Sequence, residues 1–103
     1  ESFNLQYKTK NYDFGIPNNY KMIRECTVKL NTNGQNVTFK VYVDDIWKYS
    51  VTLNESSLAR VLIPLPPGLK GNNFQFEFIG TGLTNEVIIE PPVTVKLKPM
   101  RMI

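Results

Sequence analysis

The chain reads as an all-β protein: a two-sheet antiparallel β-sandwich, immunoglobulin-like or jelly-roll-like, with about seven to eight strands. Three observations lead there. Its apolar runs alternate with period 2 instead of 3.6, they are rich in Val, Ile, Phe and Tyr, and they stop at Gly, Pro, Asn or Asp. Strands with one apolar face each need a second apolar face to cover them, so two sheets must close on each other.

The first predicted strand is Phe3 to Lys8, short and at an edge, with Phe3, Leu5 and Tyr7 on one side and Asn4, Gln6 and Lys8 on the other. A connector, 11–19, follows; Gly15, Pro17 and Asn18-Asn19 favour turn geometry, and Tyr12, Phe14 and Ile16 are expected to anchor it on the core. A long strand then runs from Tyr20 to Leu30, with Met22, Cys26, Val28 and Leu30 inward and Arg24 as the one polar interruption. Asn33-Gly34 predicts a type I′ hairpin into a third strand, Val37 to Val43, which turns Val37, Phe39, Val41 and Val43 inward and Thr38, Lys40 and Tyr42 outward.

The fourth strand, Trp47 to Leu53, has Trp47, Tyr49, Val51 and Leu53 as its apolar set. A flat two-residue loop at Asp44-Asp45 would set Val43 opposite Ile46 and throw the two apolar sets onto opposite faces. A three-residue loop or a bulge near Ile46 is therefore expected, bringing Val43 opposite Trp47 and Val41 opposite Tyr49. The fifth strand covers Leu58 to Leu65 and stops at Pro64, Pro66 and Pro67. After a loop from Gly68 to Asn73, Phe74, Phe76 and Phe78 alternate with Gln75, Glu77 and Ile79 in a sixth strand closed by Gly80-Thr81-Gly82. In the last segment, Glu86 to Lys98, Pro91-Pro92 should either split it into two short strands or kink it where the chain changes sheets.

With 103 residues, 42% of them hydrophobic and 20% charged, the chain has the length and balance of one domain that closes a core without staples. Residue 1 is Glu and not Met, as expected for a domain excised from a longer chain or for a processed product. A lone cysteine, Cys26, excludes an intrachain disulfide, and no apolar run approaches the ~20 residues of a membrane-spanning helix. The net charge of +3 is mild, and only three of the twelve cationic residues are Arg, so nucleic-acid binding is not expected.

Catalytic chemistry is hard to assemble from this inventory. There is no His, which removes the commonest general base and neutral metal ligand, and Cys26 falls on an inward-facing position. Asp44-Asp45 is the only adjacent acidic pair, and consecutive residues at a strand end point apart, so the pair reads as turn-forming. No phosphate-binding glycine motif is present. The two N-x-[ST] sequons, at Asn36 and Asn54, are about what eleven Asn residues supply by chance. The expectation is a non-enzyme without metal or cofactor.

The electrostatic candidate is a strip of Lys8 and Lys10 on the first strand with Lys96 and Lys98 on the last, joined by Arg101 if the terminal strands are neighbours; its plainer reading is protection of sheet edges. Aromatic residues on this pattern serve mainly as core or anchors, with Tyr42 on the polar face and Trp47 and Tyr49 inward.

The order Tyr12-Asp13-Phe14-Gly15-Ile16-Pro17, Lys21 leading a long strand, Val41-Tyr42-Val43-Asp44, Arg60 before Ile63-Pro64, Gly68 and Gly71, and Phe76 to Gly80 resembles modules of tail and tail-associated structural proteins of tailed bacteriophages, over nearly the whole chain. Such modules often carry Asp-Gly at the third-to-fourth strand turn, where this chain has Asp44-Asp45. The resemblance implies a structural role in a virion tail, nozzle or hub assembled in the bacterial cytoplasm, contacting other protein subunits. Contact candidates are Tyr12, Phe14, Tyr42, Asp44, Asp45, Leu69, Lys70, Lys96 and Lys98, because recognition on rigid sandwiches concentrates in loops and exposed strand faces. The competing reading is a carbohydrate-binding or adhesin module at a cell surface, which needs an exposed aromatic platform beside amide or carboxylate groups.

Overall fold

The computed structural model describes residues 2–12 and 21–99. The described residues form eight strands: β1 (Phe3–Lys8), β2 (Lys21–Asn31), β3 (Val37–Val43), β4 (Ile46–Leu53), β5 (Ala59–Pro64), β6 (Lys70–Gly71), β7 (Phe74–Leu83) and β8 (Ile88–Pro99). One sheet has the order β1-β7-β3-β4, and the other is centred on β2, which pairs β5, β6 and β8. All of these pairings are antiparallel. Because β8 follows β2 along its whole length, β5 and β6 lie one after the other on β2's opposite edge.

The expected sandwich is present, and its core is where period 2 put it. Phe39, Phe76 and Phe78 are wholly buried, the Phe39 ring stacked on Phe76 at 5.8 Å and tilted against Phe78 at 5.1 Å between ring centroids. They face Ile23, Cys26, Val28, Leu30 and Ile63 from the other sheet. Each such side chain contributes ~1.5–3 kcal/mol relative to exposure, which makes this layer the main source of stability. The terminal strands lie in opposite sheets, with β1 on β7 and β8 on β2.

Several local expectations are corrected. Asn33 and Gly34 do take left-handed conformations (φ 53° and 75°), but the turn does not close a hairpin, because β2 and β3 belong to different sheets. It carries the chain across the sandwich and is pinned by Thr32, whose hydroxyl donates to the Glu55 carbonyl and accepts from the Glu55 amide. In β2, Ile23 and not Met22 is buried, because a register shift between Ile23 and Glu25 bulges the chain at Arg24 and reverses the parity. Arg24 is thereby turned out to solvent.

Pro91-Pro92 neither splits β8 nor moves it to another sheet. Between Thr27↔Thr94 and Lys29↔Glu90, β2 advances two residues while β8 advances four, so the prolines sit in a bulge of an edge strand, where no ladder amide is needed. The glycines after Ile79 do not end β7 either; it runs on to Leu83, and Gly82 (φ 63°) marks the point where β7 steps three residues against two of β1. The segment expected to be a loop, 68–73, contains the two-residue strand β6 against Lys21 and Met22.

Candidate functional site

The outer face of the β1-β7-β3-β4 sheet gathers the most organised group of exposed side chains. Register fixes the rows: Lys8 lies beside Glu77, Glu77 beside Lys40, and Lys40 beside Ser50; one step along, Gln75 lies beside Tyr42 and Tyr42 beside Trp47. Period 2 alone puts Gln6, Lys8, Lys40, Tyr42, Gln75 and Glu77 on this face.

Trp47 arrives here for a different reason. Asp44 and Asp45 form a two-residue loop with both φ positive (49° and 68°), the type I′ geometry, so Val43 stands opposite Ile46 and Tyr42 opposite Trp47. The extra residue comes one step later, at Lys48, after which Val41 faces Tyr49 as expected. The expected bulge therefore exists, but beyond Trp47 instead of before it. Trp47 is 56% exposed and not inward.

Glu77 is the hub of the face. Although it points away from the core it is only 3% exposed, because its neighbours' side chains lie over it. The Tyr42 hydroxyl donates to Oε1 at 2.7 Å and the Gln6 amide to Oε2 at 3.0 Å. Burial alone pushes the Glu77 pKa up, but those two hydrogen bonds together with the Lys8 and Lys40 ammonium groups outweigh it, and the carboxyl sits below its ordinary value. The same bond, then burial and the carboxylate's charge, raise the Tyr42 phenol. Lys8 Nζ lies 4.4 Å from the centroid of the Tyr42 ring and Lys40 Nζ 4.8 Å from that of Trp47. Each contact is a cation–π interaction of ~0.5–1 kcal/mol at an exposed site. The result is a pre-organised patch of two aromatics and two cations over one buried, ionised carboxylate.

No family model, no curated protein and no solved structure matches this chain. The likeness to phage tail modules accordingly stands on the sequence motifs alone.

The other sequence candidates fall in two places. Asp44 and Asp45 sit at one end of the sandwich with Tyr12 and Lys70: Tyr12 bridges to Phe74, and the Asp44 carboxylate accepts the amides of Asn72 and Asn73 at 3.1 and 2.9 Å. Asp44 is thus committed to holding the 72–73 turn. Lys70 and Lys98 bracket Met22 on its two sides at that same end. Leu69 is corrected: it is 6% exposed and belongs to the core, since its carbonyl is tied to the Ile23 amide and its side chain turns inward. The proposed lysine strip does not form through strand pairing, because β1 and β8 lie in different sheets; Lys8 instead joins the Tyr42 face. Phe14 and Arg101 lie outside the described residues, as do the side chains of Lys96 and Lys98.

The arrangement presents two aromatic faces and two ammonium groups at the surface. Among the described residues no three His, Cys, Asp or Glu side chains converge as a metal site. Cys26 is fully buried, and burial followed by the Glu25 charge pushes its thiol up to about 12, so at neutral pH it is a protonated core residue and no nucleophile. The sequence reading missed Trp47, Lys40, Gln6 and Glu77 as site residues. The signal for Glu77 was partial: period 2 marks it as an acid at an outward position of a Phe-rich strand, while its place between two lysines follows from the strand order alone.

Proposed function

We propose that this chain is a non-catalytic interaction domain that makes protein–protein contacts within a larger assembly through the Tyr42–Trp47 face. A structural component of a phage or prophage virion, as the sequence resemblance implies, is the setting we favour. The observation that carries the reading is the pairing of Lys8 with Tyr42 and Lys40 with Trp47 around Glu77. Aromatic side chains held in place by hydrogen bonds supply contact area at low entropic cost, and the adjacent ammonium groups favour a partner surface that carries carboxylates. The lone cysteine, Cys26, is a buried thiol held protonated at neutral pH.

A second reading, a carbohydrate-binding module, is favoured by one observation: an exposed Trp next to Tyr42, with the amides of Gln6 and Gln75 and the carboxylate of Glu77 nearby. We rank it second because the polar groups are already engaged. Both oxygens of Glu77 accept protein hydrogen bonds, and the Gln75 amide donates to the Thr9 carbonyl. The test combines two experiments. Amine-reactive cross-linking of source particles should join Lys8 and Lys40 to other structural subunits. A glycan array should show no binding that depends on Trp47; binding that is abolished in Trp47→Ala, without such cross-links, would replace the first reading by the second.

A further inference from the structure

We propose that the free edge of β1 is a self-association surface, on which β1 of a second copy of this chain pairs antiparallel and extends the β1-β7-β3-β4 sheet across a two-fold axis. The inference is independent of the Tyr42–Trp47 face. The Thr9 amide donates to the Phe76 carbonyl, which sets the parity of the ladder. The amides of Leu5 and Tyr7 therefore point into β7, and the N–H and C=O groups of Asn4, Gln6 and Lys8 point out along an edge that no described strand covers.

Edges of this kind invite pairing unless they are blunted. The edge of β4 is interrupted by the bulge at Lys48, β5 carries Arg60 and ends at Pro64, and β8 contains Pro91-Pro92 in a bulge. In contrast, β1 has no proline, one lysine at its end and a regular backbone, since the irregularity opposite it is absorbed by β7. Its core-facing side is also incompletely covered. Phe3 and Tyr7 point toward the sandwich interior yet remain 44% and 37% exposed. Beside them lies a hollow of about 340 Å³ lined by Leu5, Tyr7, Val87 and Ile89.

The occupant must be an extended segment that is apolar at every second residue, and β1 itself meets that description. With the two-fold axis at Leu5, Phe3 of one copy stands opposite Tyr7 of the other, an aromatic cross-strand pair. Asn4 stands opposite Gln6, so every outward amide meets an outward carbonyl, and the apolar residues of both strands face the same side. Lys8 falls opposite Ser2, so no like charges oppose each other.

In this register Leu5 faces its own copy in a non-hydrogen-bonded pair, with Cα atoms about 4.5 Å apart, a separation a disulfide can bridge. The test is a Leu5→Cys variant under mild oxidation, with Ser50→Cys on β4 as control, and light scattering of the unmodified chain over a concentration series. The expected results are selective cross-linking of Leu5→Cys and a mass rising from 11.8 kDa toward twice that value at roughly 10–100 µM, the weak association expected for an interface below ~1,200 Å². An Asn4→Pro variant, which lacks an outward amide, should keep its β circular-dichroism signature and stay monomeric. A monomer at all concentrations, equal cross-linking in the two cysteine variants, or a dimer that survives in folded Asn4→Pro overturns the proposal.

Discussion

Replacing Tyr42 by Phe removes one oxygen and leaves the ring under Lys8, so it isolates the hydrogen bond to Glu77. That bond is 2.7 Å long and ends on a carboxylate that is 3% exposed. A hydrogen bond to a charged group contributes ~1.5–3 kcal/mol when its loss leaves the partner under-satisfied. The Gln6 amide and the two lysines remain, and Tyr42 is itself half-buried, so the lower part of that range applies. The expected loss is about 1.5–2 kcal/mol at pH 7, or a fall in Tm of roughly 6–16 °C for a domain of this size. The pH dependence is the sharper test. Glu77 has a folded pKa below its ordinary 4.5, so its contribution is fully present above the ordinary value and is lost as pH falls through the folded one. The gap between the two proteins should therefore be flat from about pH 7 to 5 and close as the pH is lowered toward 3. Urea denaturation followed by far-UV circular dichroism at four pH values measures it. A loss below about 0.5 kcal/mol at pH 7, or a gap as large at pH 3 as at pH 7, would refute the account of Glu77 as an ionised hub.

Other consequences are quicker to check. Trp47→Ala should cost no more than about 1 kcal/mol, a fall in Tm of at most roughly 4–8 °C, because a half-exposed ring, one cation–π contact and one exposed hydrogen bond to the Tyr49 carbonyl are lost. Phe39→Ala, in contrast, should cost ~3–5 kcal/mol, a large share of the ~5–15 kcal/mol typical of a domain this long, and thermal melts of the pair would show the difference. Gly71→Ala places a Cβ against the Val43 side chain and 2.6 Å from Asp44 Oδ2, which should lower stability by ~1–3 kcal/mol through overpacking. The Cys26 thiol should resist a disulfide reagent at pH 8 in the native protein and react at once in denaturant.

The strands that face the core were readable because the core imposes period 2: β1 and β3 keep the bounds expected from Phe3 to Lys8 and from Val37 to Val43. What sequence periodicity does not carry is where an extra residue is absorbed. At Arg24, Lys48 and Pro91-Pro92 the pattern showed a conflict, and each time the chain resolved it with a bulge whose position depends on the neighbouring strand. That dependence is why Trp47 was assigned to the core: moving the bulge from before Trp47 to after it reverses the side on which this residue emerges. Sheet membership was the other illegible quantity. Asn33-Gly34 has the same turn chemistry whether it closes a hairpin or crosses between layers, and only the placement of β1 and β8 in different sheets shows that the terminal lysines are not joined by strand pairing. Of the candidate face, Tyr42 was legible as outward; its assembly with Glu77 and Gln6 was not, since it depends on β7 lying between β1 and β3.

Trp47 is the chain's only tryptophan, and its place on the surface gives the protein a built-in optical reporter. Half in water beside the Lys40 ammonium, the indole already emits from a solvated environment, so loss of the fold changes its spectrum little. A partner laid over the face would dry the ring and displace the ammonium together. Fluorescence then follows occupancy while circular dichroism follows folding, and the two events can be titrated in one cuvette without any label.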